Sequence, residues 1–103
     1  MADQPQSRWT FLTNHAHVLV CLARDPDVRL RDVAQLVGIT ERAAQGIVGD
    51  LVEAGYVSRT RVGRRNRYSI DEALPLRHAL ERDHAVGSLI RVVSPTDRRD
   101  LRS

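Results

Sequence analysis

LRDVAQLVGITERAAQ, residues 30–45, holds two helix signals around one glycine. Val33, Ala34 and Val37 recur at helical spacing, which predicts a short helix from about Arg31 to Val37. Gly38 stops it, because glycine takes the left-handed backbone that a sharp turn needs without a Cβ clash. Ile39 plugs the turn. Thr40 then carries a hydroxyl suited to cap a further helix, Glu41 to Ala54, and Glu41 complements that helix's positive N-terminus. Ala44, Ile47, Val48, Leu51 and Val52 give this helix its buried stripe, and Gly55 ends it.

Upstream, Thr13 can cap a helix over Asn14 to Arg24. Leu12, Ala16, Leu19, Val20 and Ala23 form its apolar stripe, widened by Val18, Cys21 and Leu22, so the helix is expected at the centre of the fold. Asp25-Pro26-Asp27 terminates it, and Val28-Arg29-Leu30 leans towards a lone edge strand. Downstream, Tyr56–Val62 alternates as a strand, Gly63-Arg64-Arg65-Asn66 reads as a turn, and Arg67–Ile70 returns. Asp71–Asp83 is broken by Pro75 and carries no clear period. A last helix is expected over His84–Val93, with Val86, Leu89, Ile90 and Val93 on one side. Residues 1–8 and the charged tail 94–103 read as flexible ends around one domain, 9–93. At 103 residues, with 42% apolar content and four aromatics, the chain supports one modest core built from Leu, Val, Ile and Ala.

The charge is local. Residues 1–55 hold five arginines against seven acids, and residues 71–103 hold six of each. Tyr56–Ile70, YVSRTRVGRRNRYSI, holds Arg59, Arg61, Arg64, Arg65 and Arg67 and no acid, which exceeds the whole chain's net +3. Such a concentration of cation on a two-stranded ribbon suits a polyanion, and nucleic acid is the commonest such partner.

Helix, tight glycine turn, helix and basic hairpin resemble the winged helix–turn–helix of bacterial transcriptional regulators. The stretch 30–45 is similar to that family's helix–turn–helix, and Leu51-Val52-Glu53-Ala54-Gly55-Tyr56-Val57 to its junction between recognition helix and wing. The resemblance covers roughly residues 12–70 and is closest to the arsenic-repressor and multiple-antibiotic-resistance-repressor types. It implies a mainly α fold with a small β-hairpin wing, a three-helix core and a C-terminal helix. It also implies a sequence-specific regulator of double-stranded DNA, a homodimeric repressor, with residues 40–54 in the major groove and the wing 56–70 on the backbone or minor groove. Thr40, Glu41, Arg42 and Gln45 would then meet the DNA from the recognition helix. Arg42 can donate two bonds to guanine, Gln45 can pair with adenine, and Thr40 suits a phosphate. Arg59, Arg61, Arg64, Arg65 and Arg67 would bind from the wing. Two-fold symmetry would set the recognition helices about 34 Å apart, with Trp9, Phe11 and the first and last helices at the interface. A ligand pocket would belong near those same helices; which effector, if any, is not legible. Gly46 and Gly49 depart from the pattern, since relatives often carry a long polar or basic residue near the first of them. Direct base contacts beyond Gln45 lose that side chain; close approach of the helix backbone to DNA or to a neighbouring helix would explain the glycines, and so would packing that simply tolerates them.

Two other partners fit the residues. The basic wing could dock an acidic protein, which makes the domain an interaction module. Single-stranded nucleic acid would need exposed aromatics, for which the hairpin offers Tyr56 and Tyr68 alone. A single cysteine, Cys21, excludes an intramolecular disulfide and reads as a buried thiol. The four histidines form no ligand cluster, and the cysteine-rich metal box of arsenic-type repressors is missing, so neither metal nor cofactor is expected. No catalytic set is visible, so no enzymatic activity is expected. The polar N-terminus and short apolar runs read as a soluble cytoplasmic protein without a membrane partner.

Overall fold

The computed structural model describes residues 9–94, so the expected loose ends lie outside the described residues, Ser94 excepted. Three helices, a hairpin and a fourth helix follow in order: α1 (Asn14–Arg24), α2 (Leu30–Val37), α3 (Glu41–Glu53), β1 (Val57–Val62), β2 (Arg65–Ile70) and α4 (Val86–Val93). This is the mainly α architecture with a β-hairpin that the sequence implies.

Local chemistry starts and stops the helices. Thr13 Oγ1 accepts from Ala16 N at 3.3 Å and Thr40 Oγ1 from Ala43 N at 3.0 Å, each satisfying an orphan donor of the first turn. Gly38 sits at φ +89°, and its N–H closes α2 onto Ala34 O at 2.8 Å. Ile39 packs against the core from the turn, as expected.

α1 is central: Val18, Leu19, Cys21 and Leu22 are all buried and meet Val33 of α2, Val48 and Leu51 of α3, and Ile90 of α4 in one cluster. Its deepest side chains are Val18 and Leu22, on the flank of the expected stripe, while Leu12, Ala16, Val20 and Ala23 are half-buried. The difference follows from the packing. α1 touches α2, α3, β2 and α4, so its apolar surface spans several faces rather than one. Tyr56, Val57 and Tyr68 root the hairpin in the same cluster.

Three expectations need correction. Val28-Arg29-Leu30 forms no strand: Leu30 already belongs to α2, and the edge of β2 is met two residues before Val28 by a backbone bond, Tyr68 N–H to Pro26 O at 2.9 Å. The hairpin turn is two residues rather than four, because pairing continues to Val62↔Arg65 and leaves only Gly63 and Arg64 outside the ladder. Gly63 has φ +63° and Arg64 does not have a positive φ, the pattern of a type II′ turn, whose twist matches the strands. Finally, α4 begins at Val86 instead of His84. His84 O accepts from Leu76 N and Val86 N donates to Leu74 O, so 84–86 is first held extended against 74–76 and only then released into helix. This bridge also gives 71–83, which had no legible period, its structure. α4 is seated tightly: a Cβ on Gly87 would come within 2.8 Å of Glu72 Cβ, so only glycine fits there.

Candidate nucleic-acid interface

Every side chain expected on the reading helix is exposed: Thr40, Glu41, Arg42 and Gln45 line the first turns of α3, while Ala44, Val48 and Leu51 face inward. The Thr40 oxygen is occupied as the cap acceptor, which leaves its hydroxyl proton to donate. Arg42 and Gln45 stand three apart, hence on neighbouring positions of one face. Gly46 and Gly49 extend that face, and a Cβ built on either meets nothing within 4 Å. No neighbouring element of the chain therefore demands these glycines, and a close helix–helix approach within the domain does not account for them. His15 of α1 meets Asp50 of α3 at 2.8 Å between Nε2 and Oδ2.

Register sorts the wing arginines. Arg59 pairs with Tyr68 and Arg61 with Asn66, so Arg59 and Arg61 share the face that carries Val57 and Tyr68 into the core at the hairpin's base. Arg65, opposite Val62, and Arg67, opposite Thr60, share the other face. Arg64 occupies the turn, onto whose Gly63 carbonyl Arg61 Nε donates at 3.1 Å. All five are exposed, but they are not equivalent. Arg67 gives two bonds to Asp27, Nε to Oδ1 at 2.8 Å and Nη2 to Oδ2 at 3.0 Å. Among the described residues Arg59, Arg61, Arg64 and Arg65 are in no ion pair, so four exposed guanidinium groups have no salt-bridge partner there. Arg29, which composition did not single out, joins Arg64 and Arg65 around a cleft of about 220 Å³ between the wing and the start of α2. Its signal was only its place beside the Asp25-Pro26-Asp27 turn.

The hairpin's tyrosines are not a stacking platform. Tyr56 and Tyr68 are both buried, and the Tyr56 hydroxyl donates to the Pro75 carbonyl. Cys21 is buried too, and desolvation pushes its thiol above the ordinary value, which disfavours the reactive thiolate.

A solved structure carries the same arrangement. A MarR family protein of Mycobacterium tuberculosis, Rv2887, in complex with salicylic acid, aligns with a TM-score of 0.51 at 19% identity, over 88% of this chain and 73% of that one. The chain has a winged helix–turn–helix fold. α2, the Gly38 turn and α3 are its helix–turn–helix, and β1–β2 is its wing. Of the two regulator types that the sequence resembles, the solved structure is of the multiple-antibiotic-resistance type. No protein-family model matches the chain, and no curated protein matches it in sequence.

α1, Leu51 of α3, the 74–86 segment and α4 line a mainly apolar, open groove of about 450 Å³, with Phe11, Leu19, Tyr56 and Leu89 among its walls and Arg77 and Glu81 as its charged residues. Trp9 and Phe11 meet edge to face at 5.1 Å beside it and are 68% and 92% exposed, an unusual state for large aromatic side chains. Val92 of α4 and Leu80 are exposed as well. No helix among the described residues is long and apolar enough to cross a membrane.

Proposed function

We propose that the protein is a sequence-specific regulator of double-stranded DNA, acting as a homodimeric repressor. One observation carries the reading: four exposed arginines, in no ion pair among the described residues, stand on a wing joined to a helix whose N-terminal turns present Thr40, Glu41, Arg42 and Gln45 to solvent. α3 would enter the major groove by that end, with Arg42 and Gln45 on base edges and Thr40 donating to a phosphate. Arg59, Arg61, Arg64 and Arg65 would hold the backbone or the adjacent minor groove. Arg67 is occupied by Asp27 and supports the wing instead.

The exposed apolar side chains Trp9, Phe11, Leu80 and Val92 support the dimer, since a second copy would remove them from water. Sedimentation at tens of micromolar should give two chains; a monomer there would remove the dimer from the proposal.

The deciding experiment is selection from random duplex DNA by the purified protein at about 150 mM salt, where non-specific phosphate binding is weakened. An enriched palindrome with half-sites about 34 Å apart is the expected result. Salt-labile binding without enrichment would favour the interaction-module reading, in which the wing docks an acidic protein.

The groove bears on regulation. Rv2887 was solved with salicylic acid, which supports a small aromatic acid as the occupant here, its carboxylate near Arg77. Salicylate should raise the wild-type melting temperature, and Arg77→Ala should abolish the rise.

A further inference from the structure

Asp27 is an acid beside the most basic element of the chain. Its carboxylate receives both bonds of Arg67, a residue forty positions later in the sequence. The turn that presents it is itself tied down: Asp27 N donates to Asp25 Oδ1 at 3.1 Å, and Val28 N to Asp25 O at 3.0 Å. Asp25 N in turn closes the end of α1 on Cys21 O. Next to the ion pair, Tyr68 N–H donates to Pro26 O. Side chain and backbone thus fasten two successive residues of β2 to two successive residues of the α1–α2 connection.

A two-stranded ribbon is marginal alone and gains its direction from what it touches. Val57 and Tyr68 seat the base of this hairpin, and the outer positions of both strands are exposed. The Asp27–Arg67 pair lies one residue beyond Tyr68 towards the tip, where it can resist swinging of the arginine-bearing part. We propose that Asp27 is a positioning residue of the DNA interface: by clamping Arg67 it sets the angle of the wing on the helical body, and so the reach of Arg59, Arg61, Arg64 and Arg65 relative to α3. The proposal rests on the DNA-binding reading and adds an acid to its machinery. Ordering the wing before contact lowers the entropy lost on binding.

Two effects of removing Asp27 have opposite signs. By charge alone, Asp27→Asn adds a net positive charge and releases Arg67. Binding to every duplex then tightens, and the salt slope steepens by about 0.9 per protomer for one added phosphate contact. By positioning, affinity for the selected operator falls while scrambled duplex is held as well or better.

The test is competitive binding of operator and scrambled duplex by wild type, Asp27→Asn, and the charge-swapped double variant Asp27→Arg/Arg67→Asp. Amide exchange at Tyr68 is read on each free protein. The clamp predicts that Asp27→Asn lowers the operator-to-scrambled ratio about tenfold, the scale of one misplaced base contact. It also predicts faster exchange of the Tyr68 amide and recovery of both readouts in the swap, whose net charge equals wild type. An operator-selecting wild type whose Asp27→Asn variant keeps the ratio would overturn the clamp alone. A wild type with no sequence preference would overturn the DNA reading together with the clamp.

Discussion

The first turns of α3 and the wing are neighbours along the chain and are built on opposite principles. α3 opens with Thr40, Glu41, Arg42 and Gln45, whose charges cancel, and it is held by a cap within its own first turn. The wing holds five arginines and no acid, and it is held by Asp27 and Pro26 from a distant turn. A neutral set of varied donors and acceptors can discriminate base edges, while a uniform set of cations can only grip. Discrimination needs a rigid helix end; grip needs charge delivered at the right angle. On the proposed DNA-binding reading, the first requirement would be met locally and the second by tertiary contact.

The largest expected effect tests the grip. With about four phosphate contacts per protomer, a dimer should show a log–log salt slope near −7, and Arg64→Ala/Arg65→Ala should bring it to about −4. Affinity should fall alike for operator and scrambled duplex in a titration across salt concentrations. A loss confined to the operator would show that the wing reads sequence and would erase the contrast between the regions.

Next comes discrimination. Arg42→Ala or Gln45→Ala should cost about 1–3 kcal/mol per lost bidentate pair on the operator and leave scrambled duplex unaffected. Repeating the selection with each variant should return a motif relaxed at one position per half-site. An unchanged motif would refute the assignment of α3 as the reading helix.

Gly46 sharpens the comparison at the boundary of the reading surface. Since nothing lies within 4 Å of a Cβ there, Gly46→Ala should stabilise the fold by about 1 kcal/mol through helix propensity. If the bare face exists to admit DNA, the same variant should bind operator more weakly while melting higher. Melting and binding that rise together would mark Gly46 as a tolerated interior glycine.

The smallest effect is on the acid side of the wing anchor. The hydrogen bond from Arg67, followed by the charges of Arg67 and Arg65, holds the Asp27 carboxyl below its ordinary value. A depressed folded-state value stabilises the protein above the unfolded aspartate value of about 4, and the contribution is lost as pH falls through the lower, folded one. Wild type should therefore lose more melting temperature than Asp27→Asn on acidification below about pH 4, because the amide does not titrate there.

The elements that rest on nearest neighbours in the chain were legible in the residues. Thr13 and Thr40 as caps, Gly38 as a left-handed stop, and the bounds of α1 follow from interactions spanning a few residues, which any fold containing them would satisfy. The exposure of Arg42 and Gln45 follows equally from the 3.6-residue period, given that Ala44, Val48 and Leu51 must face inward. The local concentration of charge in 56–70 is a property of composition and required no structure to see.

Only the tertiary structure decided what those arginines face. Arg67 and Arg65 are both arginines on the same side of the hairpin, yet one meets a carboxylate forty residues upstream and the other is in no ion pair among the described residues. Contacts between separated segments likewise hid the 74–86 bridge that delays α4 to Val86, and the burial of Tyr56 and Tyr68 that removes the hairpin's aromatic platform. The physical reason is common to all three. Helix period and capping act over three or four residues and leave their mark in spacing, whereas an ion pair or a bridge between distant segments depends on where the packed core brings them together.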